Sequence, residues 1–189
     1  TRGTLTLNGV PVSFANSQEA EAKGVVLIHQ EFNLADQLSV EQNIFLGHEK
    51  TRGFFLDKAA MQAETRGLLK RLNCQVDPSA RVQDIANADK QMVEIAKASR
   101  NAKVLIMDEP TAVLTTREAD VLFEQVEKLK ADGVAILFTS HKLDEVKRIS
   151  DQITVLRDGH VVSQGPASDY DEDQMATAMV GRDVSSLYP

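Results

Sequence analysis

The run Val104-Leu105-Ile106-Met107-Asp108-Glu109-Pro110 sets two carboxylates directly behind four apolar residues. A short apolar run reads as a buried strand, and charged side chains stand at the end of one only where a cation, a polar ligand or water compensates them. One carboxylate can help hold Mg²⁺, often through water. The next can orient or deprotonate an attacking water, and phosphoryl transfer needs both tasks. Two solvated carboxylates at a strand mouth, with the Glu capping a loop, are the alternative. His141 stands just past a second apolar run, Val134 to Ser140, where its ring could hydrogen-bond a terminal phosphate. A helix-capping or exposed imidazole is the plainer role, but the shared sheet edge with Asp108 and Glu109 favours the phosphate. Gln30 follows a third run, Val25-Val26-Leu27-Ile28, by two residues. It can offer a carbonyl oxygen to a metal and an amide to water, although any surface glutamine has the same groups.

These residues need a scaffold of strands alternating with helices. Each of the three apolar runs suits a strand buried on both faces of a parallel sheet. Thr4 to Leu7 and Val10 to Phe14 flank Asn8-Gly9, the pattern of a hairpin with a type I′ turn. Asn16 with Glu19, Ser39 with Gln42, and Thr115 with Glu118 resemble capping boxes that open helices. Asp57 is placed to cap a helix running to about Leu72, with Leu68, Leu69 and Leu72 as its apolar stripe. Lys90 to Arg100 predicts another helix. No strand is read between about Leu34 and Ala98, so this stretch reads as an all-helical insertion. The helix after Thr115 presents Leu122, Val126 and Leu129 and stops at Gly133. A short helix from Lys142 to about Ser150 follows. Ile153 to Arg157 and His160 to Gln164, about Asp158-Gly159, predict a second hairpin, broken at Gly165-Pro166. A last helix spans about Asp171 to Val180. The fold class is α/β, with strand ends gathered at one sheet edge, where ligands bind in such folds.

Bulk composition narrows the function classes. The 189 residues suffice for one domain, or one with a small insertion. A net charge of -7 argues against a nucleic-acid partner, which needs a basic face. The single cysteine, Cys74, cannot form an internal disulfide, the habit of reducing compartments. No apolar run approaches the ~18–20 residues that cross a bilayer. The chain begins at Thr1, inside a predicted strand, and reads as a piece of a longer protein.

In order, Gln30, Asp108-Glu109 and His141 resemble the Q-loop, Walker B and switch histidine of ABC transporter ATPases, with the insertion between the first two as in that family. Lys90 to Ala98 resembles the helix after the ABC signature, and Thr1-Arg2-Gly3-Thr4 the segment after the phosphate-loop helix. Met107 to Ala112 and Met179-Val180-Gly181-Arg182-Asp183 resemble the first ATPase domain of tandem monosaccharide importers of the ribose, galactose and xylose type. Leu187-Tyr188-Pro189 is then similar to the lead-in to a second ATPase domain. The resemblance implies a P-loop NTPase core divided as residues 1–34, 99–165 and a C-terminal helix and linker at 166–189, with the helical subdomain at 35–98. It implies ATP and Mg²⁺ as ligands. Asp108 would support the metal, Glu109 would be the general base, His141 would contact the γ-phosphate and Gln30 the metal or water. Ala112-Val113-Leu114-Thr115 would be the D-loop at a dimer seam. Implied partners are transmembrane permease subunits, a second ATPase domain or second copy and, indirectly, a periplasmic or extracellular sugar-binding protein. The place implied is the cytoplasmic face of the membrane, peripherally. A non-transport ABC ATPase and a non-catalytic docking module are the alternatives.

The sequence departs from the family at three places. No Gly-x-x-x-x-Gly-Lys-Ser/Thr occurs, so the backbone N–H groups, lysine and hydroxyl that cradle phosphate are absent. The family's first strand, central in its sheet, is absent with them. The expectation is weak ATP binding, no turnover by the chain alone, and apolar surface that leaves it marginally stable or self-associating. At the signature stand Ile85-Ala86-Asn87-Ala88-Asp89, then Lys90-Gln91, where the family shows Leu-Ser-Gly-Gly-Gln. Ala86 removes a hydroxyl that would bond phosphate in trans, and Ala88 replaces a glycine, unless Asn87 supplies a substitute donor. The D-loop ends in Thr115 rather than the commoner aspartate. Phe32, Phe45, Phe54 and Phe55 could line a contact with the membrane partner, or fill the insertion's own core.

Overall fold

A computed structural model of the chain describes residues 3–181. Thr1, Arg2, Arg182-Asp183 and Leu187-Tyr188-Pro189, which carry part of the resemblance, lie outside the described residues.

The centre is a parallel sheet of β3 (Val25–Ile28), β6 (Val104–Asp108) and β7 (Ala135–Thr139), in that order. The helix α1 (Ser17–Ala22) leads into β3, and a hairpin of β1 (Leu5–Leu7) and β2 (Val10–Val12) precedes it. Asn8 and Gly9 both take positive φ, 52° and 76°, as the anticipated type I′ turn requires. Between β3 and β6 lie α2 (Val40–Phe45), α3 (Lys58–Arg71) and α4 (Asn87–Ser99). After β6 come α5 (Thr116–Ala131), then β7, α6 (Leu143–Ile149), the hairpin β8 (Gln152–Arg157) and β9 (His160–Pro166), and α7 (Glu172–Val180).

Register explains how the sheet packs. Val26, Leu105 and Ile136 form one cross-strand row, and Ile28, Met107 and Phe138 the next. Both rows face a core shared with Val93 and Ile95 of α4 and Leu122, Phe123 and Val126 of α5. Phe138 meets Phe123 edge-on, ring centroids 6.1 Å apart. The other face carries the rows Leu27–Ile106–Leu137 and Asp108–Thr139. Here the expectation of strands buried on both faces fails: Leu27 is 43% exposed and Leu137 55%. The physical reason is plain. Among the described residues no strand pairs with the outer edge of β7, and Leu27 and Leu137 are not covered. A second, smaller core joins Ile153 and Val155 of β8 to Met175 of α7.

The insertion is not all-helical. Residues Thr51–Arg52 (β4) and Phe55–Leu56 (β5) pair as a small hairpin about Gly53-Phe54. Two-residue strands are too short for a periodic signal, so sequence reading passes over them. The capping boxes of Ser39 and Thr115 are complete, and Asp57 caps α3. Asn16 caps α1, but Glu19 bonds the N–H of Ala15 rather than closing the box. The helix α4 starts three residues before the predicted Lys90, at a cap, Ala86, whose side chain makes no hydrogen bond. The strand β9 runs through Gly165 to Pro166, past the expected break. The four insertion phenylalanines divide. Phe45 is buried beneath the Arg100 guanidinium, 4.1 Å from its ring centre, and Phe32 is half-buried. Phe54 and Phe55 stand in solvent, 104% and 81% exposed. No described helix is long and apolar enough to cross a membrane.

Candidate functional site

The C-terminal ends of β3, β6 and β7 form one sheet edge, because the three strands are parallel and in register. The strand β6 ends in Asp108. Its carboxylate oxygen accepts a hydrogen bond from the Thr139 hydroxyl at 2.6 Å, across the register pair Asp108–Thr139. The next residue, Glu109, leaves the strand with φ of 48°. That left-handed conformation is uncommon for a residue with a side chain, and such strain concentrates at functional sites. It is held because the Glu109 N–H donates to the Thr139 carbonyl at 3.0 Å and the Glu109 carbonyl accepts from Ala112 at 3.1 Å. The turn aims the Glu109 side chain at the loop after β7, where His141 Nδ1 lies 2.9 Å from Glu109 Oε1.

The two partners differ in exposure, and the difference matters for chemistry. The His141 side chain is 70% exposed, open to a ligand, whereas that of Glu109 is 21% exposed. The second carboxylate oxygen of Glu109, Oε2, is buried and has no hydrogen-bond partner. A buried acceptor left unpaired costs about 1–3 kcal/mol, so a carboxylate holds this state only where a proton donor or a cation completes it. The donors present suit Mg²⁺, which takes one or two protein oxygens and fills the remainder with water and phosphate. Among the described residues no cluster of three or more carboxylate, imidazole or thiol groups could hold a metal unaided.

The remaining residues singled out in the sequence fall in three places. Gln30 is exposed in the bend after β3, at the same edge as Asp108 and His141. Ala112 to Leu114 form a tight turn closed by the Leu114 N–H on the Thr111 carbonyl, 3.1 Å, with Val113 exposed at its tip and Thr115 capping α5. Ala86 and Asn87 are exposed at the start of α4, while Ala88, Asp89 and Lys90 are half-buried. Lys90 pairs with Asp36 at 3.5 Å, and Gln91 is buried with its amide nitrogen unpaired. No hydrogen bond or ion pair joins this stretch to Asp108, Glu109 or His141 in the described chain.

Sequence reasoning missed Thr139, which fixes Asp108, and the group of buried Thr111 and Glu145 with half-buried Lys142 behind the site. The only signal for Thr139 was its place directly before Ser140-His141 at a strand end.

Comparison with known proteins agrees with this geometry. The chain is 45% identical to the ribose import ATP-binding protein RbsA 3 of Rubrobacter xylanophilus over 190 aligned positions, covering 100% of the chain and 38% of that protein. It is 45% identical to the galactose/methyl galactoside import ATP-binding protein MglA of Fusobacterium nucleatum, covering 99% and 38%. It thus spans 38% of the length of these relatives. Among solved structures it is similar to cbiO1 of Clostridium perfringens, part of the ABC transporter complex cbiONQ, with TM-score 0.75, 23% identity, and coverage of 100% and 74%. It is also similar to MJ1267, an ATP-binding cassette of an ABC transporter, with TM-score 0.78, 21% identity, and coverage of 100% and 77%. These likenesses show the fold, that of the ABC ATP-binding cassettes. The profile of the ABC transporter family matches residues 1–112, more than half of the chain. This chain belongs to the ABC transporter family.

Proposed function

We propose that the chain is part of an ATP-hydrolysing motor that drives import of a monosaccharide of the ribose or galactose type. The observation that carries the reading is the Glu109–His141 contact at the mouth of the parallel sheet, with Glu109 Oε2 buried and unpaired beside it. In this reading the Glu109 carboxylate accepts the proton of the attacking water. His141 uses its outward ring nitrogen on the terminal phosphate and its inward nitrogen to stay on Glu109. Asp108, fixed by Thr139, supports Mg²⁺, and Gln30 meets the metal or its water from the next strand. The metal, when bound with ATP, neutralises phosphate charge. A general base contributes about 10²–10⁴ in rate.

Several further assignments belong to the same reading. The motor core is residues 1–34 and 99–165, the helical subdomain 35–98 and the C-terminal helix and linker 166–189. ATP binds weakly to these 189 residues alone and is not turned over, because no stretch of them supplies the glycine-rich N–H cradle and lysine for phosphate. Residues Ala86 to Gln91 face the nucleotide of a second ATPase domain or second copy, across a seam formed by Ala112 to Thr115. Ala86 leaves that composite site weaker by roughly the 1.5–3 kcal/mol of one charge-assisted hydrogen bond. The insertion meets transmembrane permease subunits on the cytoplasmic side, with Phe54 and Phe55 in the contact. A periplasmic or extracellular sugar-binding protein delivers the sugar to those subunits.

The test is ATPase activity of the full-length protein that carries this domain, wild type against Glu109→Gln. The expected result is a fall of about 10²-fold or more in the turnover of this site. Equal activities would defeat the role given to Glu109.

A further inference from the structure

Behind the Glu109–His141 pair lies a closed set of polar contacts that the reaction itself does not call for. Thr111 is fully buried, and its hydroxyl donates to Glu145 Oε2 at 2.5 Å. The other oxygen of Glu145 accepts from Lys142 Nζ at 3.2 Å, and Lys142 Nζ also donates to the Thr111 carbonyl at 3.1 Å. Glu145 is only 8% exposed. Burying a carboxylate is expensive, and it holds here because both of its oxygens are used. Removing one partner leaves the others unsatisfied, so the three residues act together.

Their positions in the chain give the set its meaning. Thr111 is two residues past Glu109, and Lys142 is the residue after His141. The set therefore ties the loop that carries one member of the reacting pair to the loop that carries the other. The Glu109 N–H on the Thr139 carbonyl also ties the start of the first loop to the end of β7. His141 is mostly exposed and is itself held by a single contact, so its ring has little else to fix it.

We propose that Thr111, Lys142 and Glu145 are positioning residues that hold the His141 ring against Glu109. The proposal rests on the functional reading above for its use in catalysis, but the alignment can be read without ATP.

The experiment is ¹⁵N NMR of the imidazole rings in the full-length protein that carries this domain, whose histidines in the given sequence are His29, His48, His141 and His160. His141 is assigned by its loss in His141→Gln. Glu109→Gln then gives the Nδ1 shift of a ring without its charged partner. Thr111→Val and Glu145→Ala are expected to move His141 Nδ1 more than half of the way to that shift. The signals of His29, His48 and His160 should stay in place. Thr111→Ser, which restores the hydroxyl, should return His141 to its wild-type shift. His141 Nδ1 at the wild-type shift in Thr111→Val overturns the proposal, and should Glu145→Ala unfold the chain, the Val and Ser variants of Thr111 decide by themselves. A His141 signal indifferent to Glu109→Gln overturns the proposal as well, by removing the pair to be held. Turnover plays no part in this readout, so a failed ATPase role and a failed positioning role are told apart.

Discussion

Replacing Ala86 by serine should stabilise the chain by about 1 kcal/mol, within roughly 0.5–2. Ala86 has the backbone of a helix N-cap, φ -68° and ψ 159°, and its carbonyl already accepts the first helical bond from Lys90 at 2.9 Å. What it lacks is a side-chain acceptor, so the first N–H groups of α4 go without one. The chain shows the remedy elsewhere: Ser39, Thr115 and Asp171 each accept a bond from the N–H three residues on. Ala86 is exposed, so a hydroxyl fits without repacking. For a chain of this size 1 kcal/mol moves the melting temperature by about 2–4 °C. The assay is urea and thermal unfolding of wild type, Ala86→Ser and Ala86→Gly. Glycine should fall only a few tenths of a kcal/mol short of serine, because it too is favoured at N-caps. The ranking serine, glycine, alanine is the signature of a cap. A serine variant no more stable than wild type would refute the reasoning. A second readout bears on function. A hydroxyl can accept from the helix N–H and still donate its proton to a phosphate. A gain in stability with no gain in full-length ATPase rate would leave position 86 a purely structural cap.

Two further outcomes follow from buried positions. Glu94 is buried on α4, and burial pushes its carboxyl above the ordinary carboxylate range, against the opposing pull of Lys97, the Asn33 N–H and His29. Its folded form therefore keeps a proton to higher pH than its unfolded form, so it withdraws stability as pH rises through that window. Glu94→Gln should gain on wild type as pH rises from about 4 to 7, read as a widening gap between their urea midpoints, and parallel curves would contradict the burial argument. Gly24 has φ of +90°, and a Cβ there would lie 2.9 Å from the Asn101 carbonyl oxygen. Gly24→Ala should cost roughly 2–3 kcal/mol from backbone strain and contact together, read as a lowered urea midpoint, and a neutral variant would show that this crossing can relax.

The chemistry was legible in the sequence because it is local. Asp108 and Glu109 announce themselves by following four apolar residues, and the Ser39 and Thr115 boxes mark helix starts within four residues of chain. What stayed hidden depends on distant pairs or on missing signals. The start of α4 was misplaced because Ala86-Asn87-Ala88 offers no capping box. The Thr111–Glu145 bond joins residues 34 apart and the Glu109–His141 contact residues 32 apart, which no periodicity reports. The open sheet face was misread because Leu27 and Leu137 are as apolar as residues that are covered. Hydrophobic runs say that a strand should be buried, not which of its faces is.

That open face and the site are one problem. The register puts Asp108 and Thr139 on the same side of the sheet as Leu27, Ile106 and Leu137, one step along the strands. An element that packs on those apolar side chains must arrive next to Asp108. In the proposed reading the groups that Asp108, Glu109 and His141 lack are phosphate-binding N–H donors and a lysine, and these sit where a strand turns into a helix. A strand laid along the free edge of β7 and turning at its C-terminal end would bring those groups to the carboxylates, and the helix after the turn, folded back on the sheet, would cover Leu137. Burial of the apolar row and completion of the phosphate site would then be a single event, driven by the hydrophobic surface that the chain leaves in water.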